Sequence, residues 1–507
     1  MKKENMNPLM VLGTSSGVGK SLISVAICRL LRREGLKPIP FKGQNMSNNA
    51  WVDKNGGEMA YSQALQAWAA GLEPCCEMNP ILLKPKGNCT SEVIHLGKSV
   101  GYTEAISYYE DWYEPGWDTI KRALKSINSD YKEGKLIIEG AGSPVEVNIQ
   151  HRDLTNLKIA KYLKANCLLV ADIEKGGVFA QIVGTLALLK EDELSLIKGL
   201  VINRFRGDLK LFDEGVQWLE KETGIPVLGV IPWLEDIFPP EDSLDLLERN
   251  RCKPDTEIEV VIIKTSSISN FSDFDPLESE KSVKIRWVKP GENIGHPDCL
   301  ILPGSKQTLK DLQQIYSSGL GDQIIEYSEK GGNIFGICGG MQILGTSLKD
   351  PLKLENSSEN ISKEFKGLQL LPIRTIFQGK KELNQISIDM LWPKQISVKG
   401  FELHYGESYL DKSKALDTEE ICIQDNKGWI VRKSHGAWIA GTYLHGIFEN
   451  DAWRRSWLNL LRAKKGLPAL GLRDENYLGK RELLLDKLAE VFELNSNLKE
   501  FIRDGRL

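Results

Sequence analysis

The chain has 507 residues, of which 41% are hydrophobic and 26% are charged, and its formal net charge at pH 7 is −4. This length exceeds what one hydrophobic core usually serves, so two or more domains are expected. The interspersed charges exclude a strongly basic nucleic-acid-binding surface, and no apolar stretch reaches the ~18 residues that a membrane-spanning helix needs.

The first half alternates short apolar segments with amphipathic segments, which predicts a parallel sheet covered by helices on both faces. The predicted strands are 8–13, 37–42, 135–139, 167–172, 198–203 and 226–231. The predicted helices are 20–34, 58–71, 116–127, 154–164 and 177–190. We therefore expect a doubly wound α/β domain over residues 1–240.

A glycine-rich loop follows the first predicted strand and reads Gly-Thr-Ser-Ser-Gly-Val-Gly-Lys-Ser. Such a loop aims several backbone N–H groups at one point, its lysine adds a positive charge, and its last hydroxyl can hold Mg²⁺. The loop has five residues between its outer glycines, whereas the common nucleotide-binding loop has four. We predict nucleotide binding, rather than a plain turn with a chance lysine, by Gly13, Thr14, Gly17, Gly19, Lys20 and Ser21.

Magnesium bound at Ser21 would need further oxygen ligands. Glu139 ends a buried strand at the sheet edge where ligands bind in open parallel sheets, and it is the first candidate. Asp172 ends the next strand, and Glu58 opens the helix predicted over 58–71. Asp172 and Glu58 could each serve as a second metal ligand or bind substrate. The alternative is a structural role, as a helix cap or a loop carboxylate.

A segment rich in proline and charge interrupts the pattern, and we interpret residues 241–256 as a linker. A second alternating series predicts strands at 257–263, 283–288, 299–302, 333–337, 400–405, 428–433 and 437–444. This series predicts a second doubly wound domain over 257–452. The pattern then becomes helical, which predicts a helical C-terminal extension over 453–507.

One of the nine cysteines lies between glycines at the end of a predicted strand. The pattern Gly336-x-Cys338-x-Gly340 is typical of a nucleophile elbow in which cysteine replaces serine, a turn so tight that its neighbours must lack side chains. The positive end of the following helix favours the thiolate. His445 ends a strand about one hundred residues later, so the pair predicts Cys/His acyl chemistry.

The other eight cysteines are scattered without paired CxxC spacing. We interpret them as small buried hydrophobes in a reduced protein, which predicts a cytoplasmic location rather than a disulfide scaffold or a zinc site.

Several longer runs resemble the cobyric acid synthase family, in addition to the Cys338 and His445 motifs. These runs are 41–49, 57–67, 78–85, 138–144, 172–180, 201–208 and 302–308. The spacing of the glycine-rich loop is similar to that of dethiobiotin synthetase and its relatives, which activate a carboxylate as an acyl phosphate. The resemblance covers nearly the whole chain and is weakest beyond residue 455.

The resemblance implies a glutamine-hydrolysing amidoligase of cobalamin biosynthesis, a carbon–nitrogen ligase that takes its nitrogen from glutamine. It would amidate the b, d, e and g carboxylates of adenosylcobyrinic acid a,c-diamide. It also implies a dethiobiotin-synthetase-like first domain and a flavodoxin-like class I glutamine amidotransferase domain. The expected substrates are a corrinoid, glutamine and ATP, with Mg²⁺; no tightly bound organic cofactor and no nucleic-acid or membrane partner are expected.

The same resemblance assigns roles in the second domain. Cys338 would attack the glutamine amide, His445 would move the proton, and backbone N–H groups at Gly339 and Gly304 would form the oxyanion hole. Class I amidotransferases commonly carry a glutamate two residues after the histidine, where this chain has isoleucine. A backbone group or Glu449 would then orient His445.

Three other functions compete with this interpretation. Cobyrinic acid a,c-diamide synthase shares both domain types, but the runs at 44–46 and 203–206 favour cobyric acid synthase. A ParA-like switch usually carries a further lysine early in the loop, where Thr14 stands. A degenerate, non-hydrolysing amidotransferase domain would have no need of both Cys338 and His445.

Overall fold

The computed structural model describes residues 7–87, 89–104, 107–234, 253, 256–355, 364–411, 418–422, 426–433 and 436–503. The predicted linker at 241–256 lies outside these residues except for positions 253 and 256. No helix in the described ranges is long and apolar enough to cross a membrane.

The first half contains twelve strands and eight α-helices within the described residues. The strands are β1 (Leu9–Gly13), β2 (Pro38–Phe41), β3 (Gln44–Met46), β4 (Ala50–Val52), β5 (Glu58–Ala60), β6 (Ile81–Gly87), β7 (Thr90–His95), β8 (Lys98–Glu104), β9 (Lys135–Glu139), β10 (Asn166–Asp172), β11 (Ile197–Phe205) and β12 (Val227–Pro232). The helices are α1 (Lys20–Arg33), α2 (Tyr61–Ala70), α3 (Tyr108–Asp111), α4 (Tyr113–Asp130), α5 (Leu157–Leu163), α6 (Val178–Ala187), α7 (Glu191–Leu194) and α8 (Asp213–Thr223).

A six-stranded parallel sheet forms the centre of this half, in the order β12-β11-β10-β1-β9-β2. Its strands are the six that the apolar runs predict, with ends displaced by at most two residues. β1 and β10 are almost wholly buried, as strands covered by helices on both faces must be. The predicted α/β class of this half is confirmed.

The region between β2 and β9 differs from the prediction. Glu58 does not open a helix but lies in β5, and α2 begins three residues later, at Tyr61. β3, β6, β7 and β8 form a separate four-stranded sheet. The sequence pattern missed this sheet because Pro85 and Gly87 interrupt β6, and because most of β8 is exposed and carries no apolar alternation.

The second half contains eleven strands and seven α-helices in the described ranges. The strands are β13 (Ile258–Ile263), β14 (Val283–Val288), β15 (Cys299–Leu302), β16 (Ile334–Ile337), β17 (Ser347–Lys349), β18 (Glu364–Lys366), β19 (Ile373–Met390), β20 (Ile396–Leu410), β21 (Thr418–Glu420), β22 (Gly428–Arg432) and β23 (Trp438–Thr442). The helices are α9 (Asp275–Glu278), α10 (Thr308–Ser317), α11 (Leu320–Glu329), α12 (Gly339–Leu344), α13 (Asp451–Lys464), α14 (Tyr477–Leu494) and α15 (Leu498–Arg503).

A seven-stranded sheet in the order β14-β13-β15-β16-β23-β22-β21 forms the centre of the second half, and its first five strands are parallel. The strand predicted at 400–405 is not part of this sheet. It lies inside β20, which pairs with β19 in a long antiparallel hairpin. Buried positions in β19 are separated by exposed and half-buried ones, whereas β20 contains the buried run 401–404, which the sequence pattern reads as a central strand.

The helical C-terminal end, also predicted, serves both halves of the molecule. α13 belongs to the second core, where the buried rings of Trp453 and Trp457 lie 5.9 and 6.1 Å from Phe335. α14 instead packs on α1 in the first half, and Arg29 of α1 forms ion pairs of 2.8 and 2.7 Å with α14 carboxylates. The end of the chain therefore completes the core around the phosphate-loop helix.

We expect Leu485→Ala in α14 to destabilise the first half, because Leu485 is fully buried in the cluster that contains α1. Such truncations cost about 2–5 kcal/mol. The matched control is Leu483→Ala on the same helix, whose side chain is 69% exposed and whose loss should change stability by less than ~0.5 kcal/mol. Hydrogen exchange of the α1 amides measures the effect, and equal exchange in the two variants would contradict this packing.

Candidate active sites

The predicted phosphate loop lies at the carboxyl edge of the first sheet, between β1 and α1. Gly17 and Gly19 have φ angles of 73° and 95°, in the left-handed region that favours glycine. A Cβ at Gly19 would lie 2.2 Å from the side-chain nitrogen of Asn203, which donates to the loop backbone at 2.8 Å. α1 begins at Lys20, and its N-cap residue is Gly19, which has no side chain to cap the amino end. This is the arrangement that binds phosphate at a helix N-terminus.

The side chain of Lys20 folds back over the loop. Its ammonium donates to a loop carbonyl at 2.9 Å and to the carbonyl of Gly142, in the turn after β9, at 3.1 Å. Gly13 leaves room for it, because a Cβ there would lie 3.0 Å from Cδ of Lys20. Thr14 donates through its hydroxyl to Gln181 at 3.2 Å. The predicted loop therefore closes around the side chain of Lys20.

Ser21 and Glu139 meet as the sequence predicts. The Ser21 hydroxyl donates to Oε1 of Glu139 at 2.7 Å, the ammonium of Lys42 lies 2.6 Å from the same oxygen, and Gln66 donates to the other oxygen. Burial of Glu139 opposes its ionisation, but Lys42 and these hydrogen bonds hold its pKa below the ordinary value. A charged carboxylate and a hydroxyl thus lie side by side at the loop.

These two oxygens fit a magnesium ion. Mg²⁺ usually takes one or two protein oxygens and completes its shell with phosphate oxygens and water. Within the described part of the chain, no group of three or more His, Cys, Asp or Glu side chains could hold a metal by itself. Ser21 and Glu139 would therefore hold the ion together with a bound nucleotide.

Lys42 and Gln66 are site residues that the sequence analysis missed. Lys42 directly follows β2, whose Phe41 is in register with Ile138 of β9, so the lysine lies opposite Glu139. The signal was available, since a lysine at the carboxyl end of a predicted parallel strand points to the ligand edge. Gln66 comes from the middle of α2, where a polar residue has no special pattern.

The other two candidate carboxylates pair with cations elsewhere. Glu58, in β5, accepts from Lys84 and Lys381, and both of these ion pairs are buried. Asp172 lies 2.8 Å from Arg204. The structure therefore does not bring Glu58 into the Ser21–Glu139 group, and the helix cap that was its alternative does not apply because it lies in a strand.

The cysteine of the second half lies in a tight turn between β16 and α12. Cys338 has φ 50° and ψ −111°, and only 4% of it is exposed. A Cβ at Gly336 would lie 2.7 Å from the backbone of Met341, and one at Gly340 would lie 2.0 Å from a backbone carbonyl oxygen. Both flanking positions therefore require glycine, as a nucleophile elbow predicts.

Sheet register carries His445 to this cysteine. β16 and β23 are parallel neighbours with Ile337 opposite Thr442, and the Cys338 N–H donates to the Thr442 carbonyl at 2.8 Å. The cysteine sulfur lies close enough to the imidazole to contribute to the raised pKa of His445. The two predicted residues, which are far apart in sequence, therefore form one buried pair.

Asp273 completes this group, and the sequence analysis missed it. Its Oδ2 lies 2.7 Å from Nδ1 of His445, and its Oδ1 accepts from the Gly446 N–H at 2.8 Å. Asp273 therefore contacts the imidazole where the sequence analysis expected Glu449 or a backbone group to orient His445. It lies 172 residues before the histidine, in a short 3₁₀ segment with no motif, so no local pattern reveals it.

Asp273 and Cys338 also set the charge of the histidine. Burial by itself would lower the pKa of His445, but the carboxylate and the sulfur together raise it to about 10. The imidazole is therefore held as a cation beside the thiol at neutral pH.

The two glycines predicted for the oxyanion hole lie beside the pair. A Cβ at Gly304 would lie 3.0 Å from Cε1 of His445, and a Cβ at Gly339 would lie 2.9 Å from the backbone nitrogen of Ser305. The loop that carries Gly304 is anchored by a 2.6 Å hydrogen bond from Ser305 to the buried Asp311. Gly304, which follows β15, and Gly339, which follows β16, thus bring bare backbone close to the cysteine and the histidine.

Each half of the chain matches a known domain family. Residues 9–244 match the CobQ/CobB/MinD/ParA nucleotide binding domain, and residues 259–453 match the CobB/CobQ-like glutamine amidotransferase domain. Cobyric acid synthase of Prochlorococcus marinus strain NATL2A is 61% identical over 496 residues, covering 98% of each chain. Cobyric acid synthase of Synechococcus sp. strain CC9605 is 57% identical over 496 residues, again covering 98% of each chain.

The Asp273→Asn variant should lower the pKa of His445 from about 10, because it removes the negative charge that stabilises the imidazolium. NMR titration of isotope-labelled histidine can follow this, since the chain has only six histidines. A His445→Asn sample identifies the signal by its disappearance. An unchanged midpoint in Asp273→Asn would contradict the assigned role of the carboxylate.

Proposed function

The chain belongs to the cobyric acid synthase family, and from this membership we propose that it converts adenosylcobyrinic acid a,c-diamide to adenosylcobyric acid. The b, d, e and g carboxylates would be amidated at the expense of ATP and glutamine. The observation that carries the proposal is that one chain holds both a phosphate loop and a buried cysteine–histidine pair whose histidine is hydrogen-bonded to Asp273. These are the two chemical sites that a glutamine-dependent amidoligase needs.

In the first half, the phosphate loop would bind the triphosphate of ATP, and Lys20 would neutralise charge on its oxygens. A corrinoid carboxylate oxygen attacks the γ-phosphorus, the bond to the β-phosphate oxygen breaks, and ADP leaves. Mg²⁺, held by Ser21 and Glu139, would offset the phosphate charge when it is bound. Lys42 keeps Glu139 ionised and adds a second cation at the same edge. The product is an acyl phosphate, whose phosphate can leave where hydroxide cannot.

In the second half, the Cys338 thiol would first lose its proton to solvent, and the resulting thiolate, paired with the cationic imidazole of His445, would attack the amide carbon of glutamine. The N–H groups of Gly339 and Gly304 are assigned to the oxyanion of the tetrahedral intermediate. His445 gives a proton to the departing nitrogen, so ammonia and a glutamyl thioester form. Water then hydrolyses the thioester with His445 as base, which releases glutamate.

Asp273 would act by holding Nδ1–H of the imidazole, which directs Nε2 to the sulfur. Ammonia released at Cys338 attacks the acyl phosphate, forming the amide and phosphate. Because water competes for the same acyl phosphate, a protected route between the two halves is part of the proposal. We also propose a cytoplasmic location, since the eight described cysteines are all free and ATP and glutamine are cytoplasmic substrates.

Incubation of the purified chain with Mg-ATP, glutamine and adenosylcobyrinic acid a,c-diamide should convert four carboxylates to amides, one after another. Mass spectrometry of the corrinoid measures each conversion. A sample without ATP is the control and should show none. Release of glutamate and ADP with an unchanged corrinoid would keep the two-site chemistry and reject this acceptor. Cobyrinic acid without its a,c-amides then becomes the next substrate to assay.

Two substitutions should separate the two sites. Cys338→Ala should lower glutamine-driven amidation by roughly 10³-fold or more, because it removes the nucleophile, and should spare amidation driven by ammonia at raised pH. Lys20→Ala should lose both reactions, because activation of the carboxylate precedes nitrogen attack. Rates of corrinoid amidation with each nitrogen source measure this.

Cys299→Ala is the matched control, a buried cysteine in β15 of the same sheet. It should leave both reactions nearly unchanged. Loss of the ammonia reaction in a folded Cys338→Ala protein would contradict the assigned division of labour, and near-normal turnover in Lys20→Ala would contradict the role of the phosphate loop.

A further inference from the structure

The segment that carries Asp273 is held by residues of the ATP-binding half. The backbone N–H of Asn270 donates to the carbonyl of residue 48 at 3.3 Å, and its side chain donates to the carbonyl of residue 50 at 3.2 Å. The Ser272 hydroxyl donates to Oδ1 of Asn49 at 2.9 Å. Asn49, Asn270 and Ser272 are all buried. The carboxylate that contacts His445 is therefore positioned by hydrogen bonds that cross between the halves.

The same segment of the first half reaches the histidine through an aromatic stack. The ring of Trp51 lies 4.9 Å from that of Phe401, which stacks on His445 at 5.3 Å with 22° between the planes. Phe401 and His445 also exchange two backbone hydrogen bonds of 2.9 and 3.1 Å. The other neighbour of Trp51 is Trp68 of α2, at 5.1 Å. The position of the imidazole therefore depends on a ring from the other half.

A third contact reaches the cysteine. The Cys338 thiol donates to the carbonyl of Leu403 at 3.6 Å. The side chain of Leu403 belongs to a small buried cluster with Ala50 and Val52. Residues 48–52 thus touch the immediate neighbours of all three members of the Cys338–His445–Asp273 group.

We propose that Asn49 and Trp51 are positioning residues of the glutaminase site, so that the ATP-binding half completes the geometry in which glutamine is hydrolysed. This inference rests on the glutaminase role proposed above. Neither residue would touch glutamine. Asn49 acts through Ser272 on Asp273, and Trp51 acts through Phe401 on His445.

Residues 48–52, which we call the positioning segment, also lie close in sequence and in contacts to the proposed ATP site. The segment follows β3, only a few residues after Lys42, which pairs with Glu139 at 2.6 Å. α2 carries both Trp68, which contacts Trp51, and Gln66, which donates to Glu139. One helix, α2, therefore contacts both the carboxylate at the phosphate loop and the tryptophan that packs toward His445.

The first test compares glutamine-driven and ammonia-driven amidation in Asn49→Ala. Loss of the acceptor for Ser272 should lower the kcat of glutamate release by about 10-fold, with little change in the KM for glutamine and with ammonia-driven amidation preserved. Ser272→Ala should behave alike. The double variant should lose no more than either single variant, because all three remove the same hydrogen bond.

A second pair of variants tests the aromatic contact. Trp51→Ala should lower glutamate release in the same selective way, and Trp51→Phe, which keeps a ring against Phe401, should recover most of it. Glu482→Gln is the control for both series. It removes one charge of the 2.8 Å ion pair between α14 and Arg29 of α1, a pair that includes no residue of the segment 48–52 or of the Cys338–His445–Asp273 group, and should leave both reactions unchanged.

Equal loss of glutamine-driven and ammonia-driven amidation in the Asn49 and Trp51 variants would overturn the inference, since the residues would then support the ATP-binding half alone. Rates like those of Glu482→Gln in every variant would overturn it as well. If the unmodified chain releases no glutamate, the proposed function fails, and this inference fails with it.

Discussion

The hydrogen bond between Asp273 and His445 is the contact on which the charge and orientation of the histidine at the second candidate site depend. It joins a carboxylate and an imidazole that are both buried, and a buried charge is tolerated only when its partners are in place. The strand register of β16 and β23 brings the histidine to Cys338, but only a segment far upstream supplies the carboxylate. The positive charge of the imidazole beside the thiol depends on that contact, because the Asp273 carboxylate raises the pKa of His445.

The boundary between the halves is organised by charge as well as by aromatic packing. Glu58 and Glu92 of the first half are buried with Lys84, and they pair with Lys306 and Lys381 of the second half. Burial lowers the pKa of Lys84 to about 8, whereas the lysines hold the pKa of Glu92 well below its ordinary value despite burial. Buried ion pairs add little net stability, yet a shift of one half that left these charges buried without their partners would be costly.

Local pattern predicted the parts of this molecule that local physics determines. The phosphate loop and the cysteine elbow each need glycines at fixed spacing, and β1, β9 and β16 are continuous apolar runs, so sequence alone located them. Glu58 was misplaced because three residues of β5 precede α2 without any change in polarity. Only residues 400–405 of the long β19–β20 hairpin were predicted as a strand, because they form its buried run, whereas β19 alternates buried with exposed positions and was missed.

Asp273 and Lys42 show where such prediction ends. Each acquires its role from a partner in another part of the chain, at separations of 172 and 97 residues. No periodicity or spacing in the surrounding sequence encodes that partner. For Lys42, strand order supplies the partner, and strand order is a property of the whole sheet. Lys42 was within reach because it ends a predicted strand, whereas Asp273 lies in a short 3₁₀ segment that residues 48–50 of the first half hold in place.

The packing of α14 on α1 imposes an order on biosynthesis. β12 leaves the ribosome about 260 residues before the end of α14, which at 5–20 residues per second is a delay of roughly 13–50 s. During that interval the apolar face of the phosphate-loop helix lacks the leucine and phenylalanine side chains that later cover it. A chain that stops short of α14 therefore leaves its first-made domain unfinished, and nascent chains stalled at that point should bind chaperones through this half.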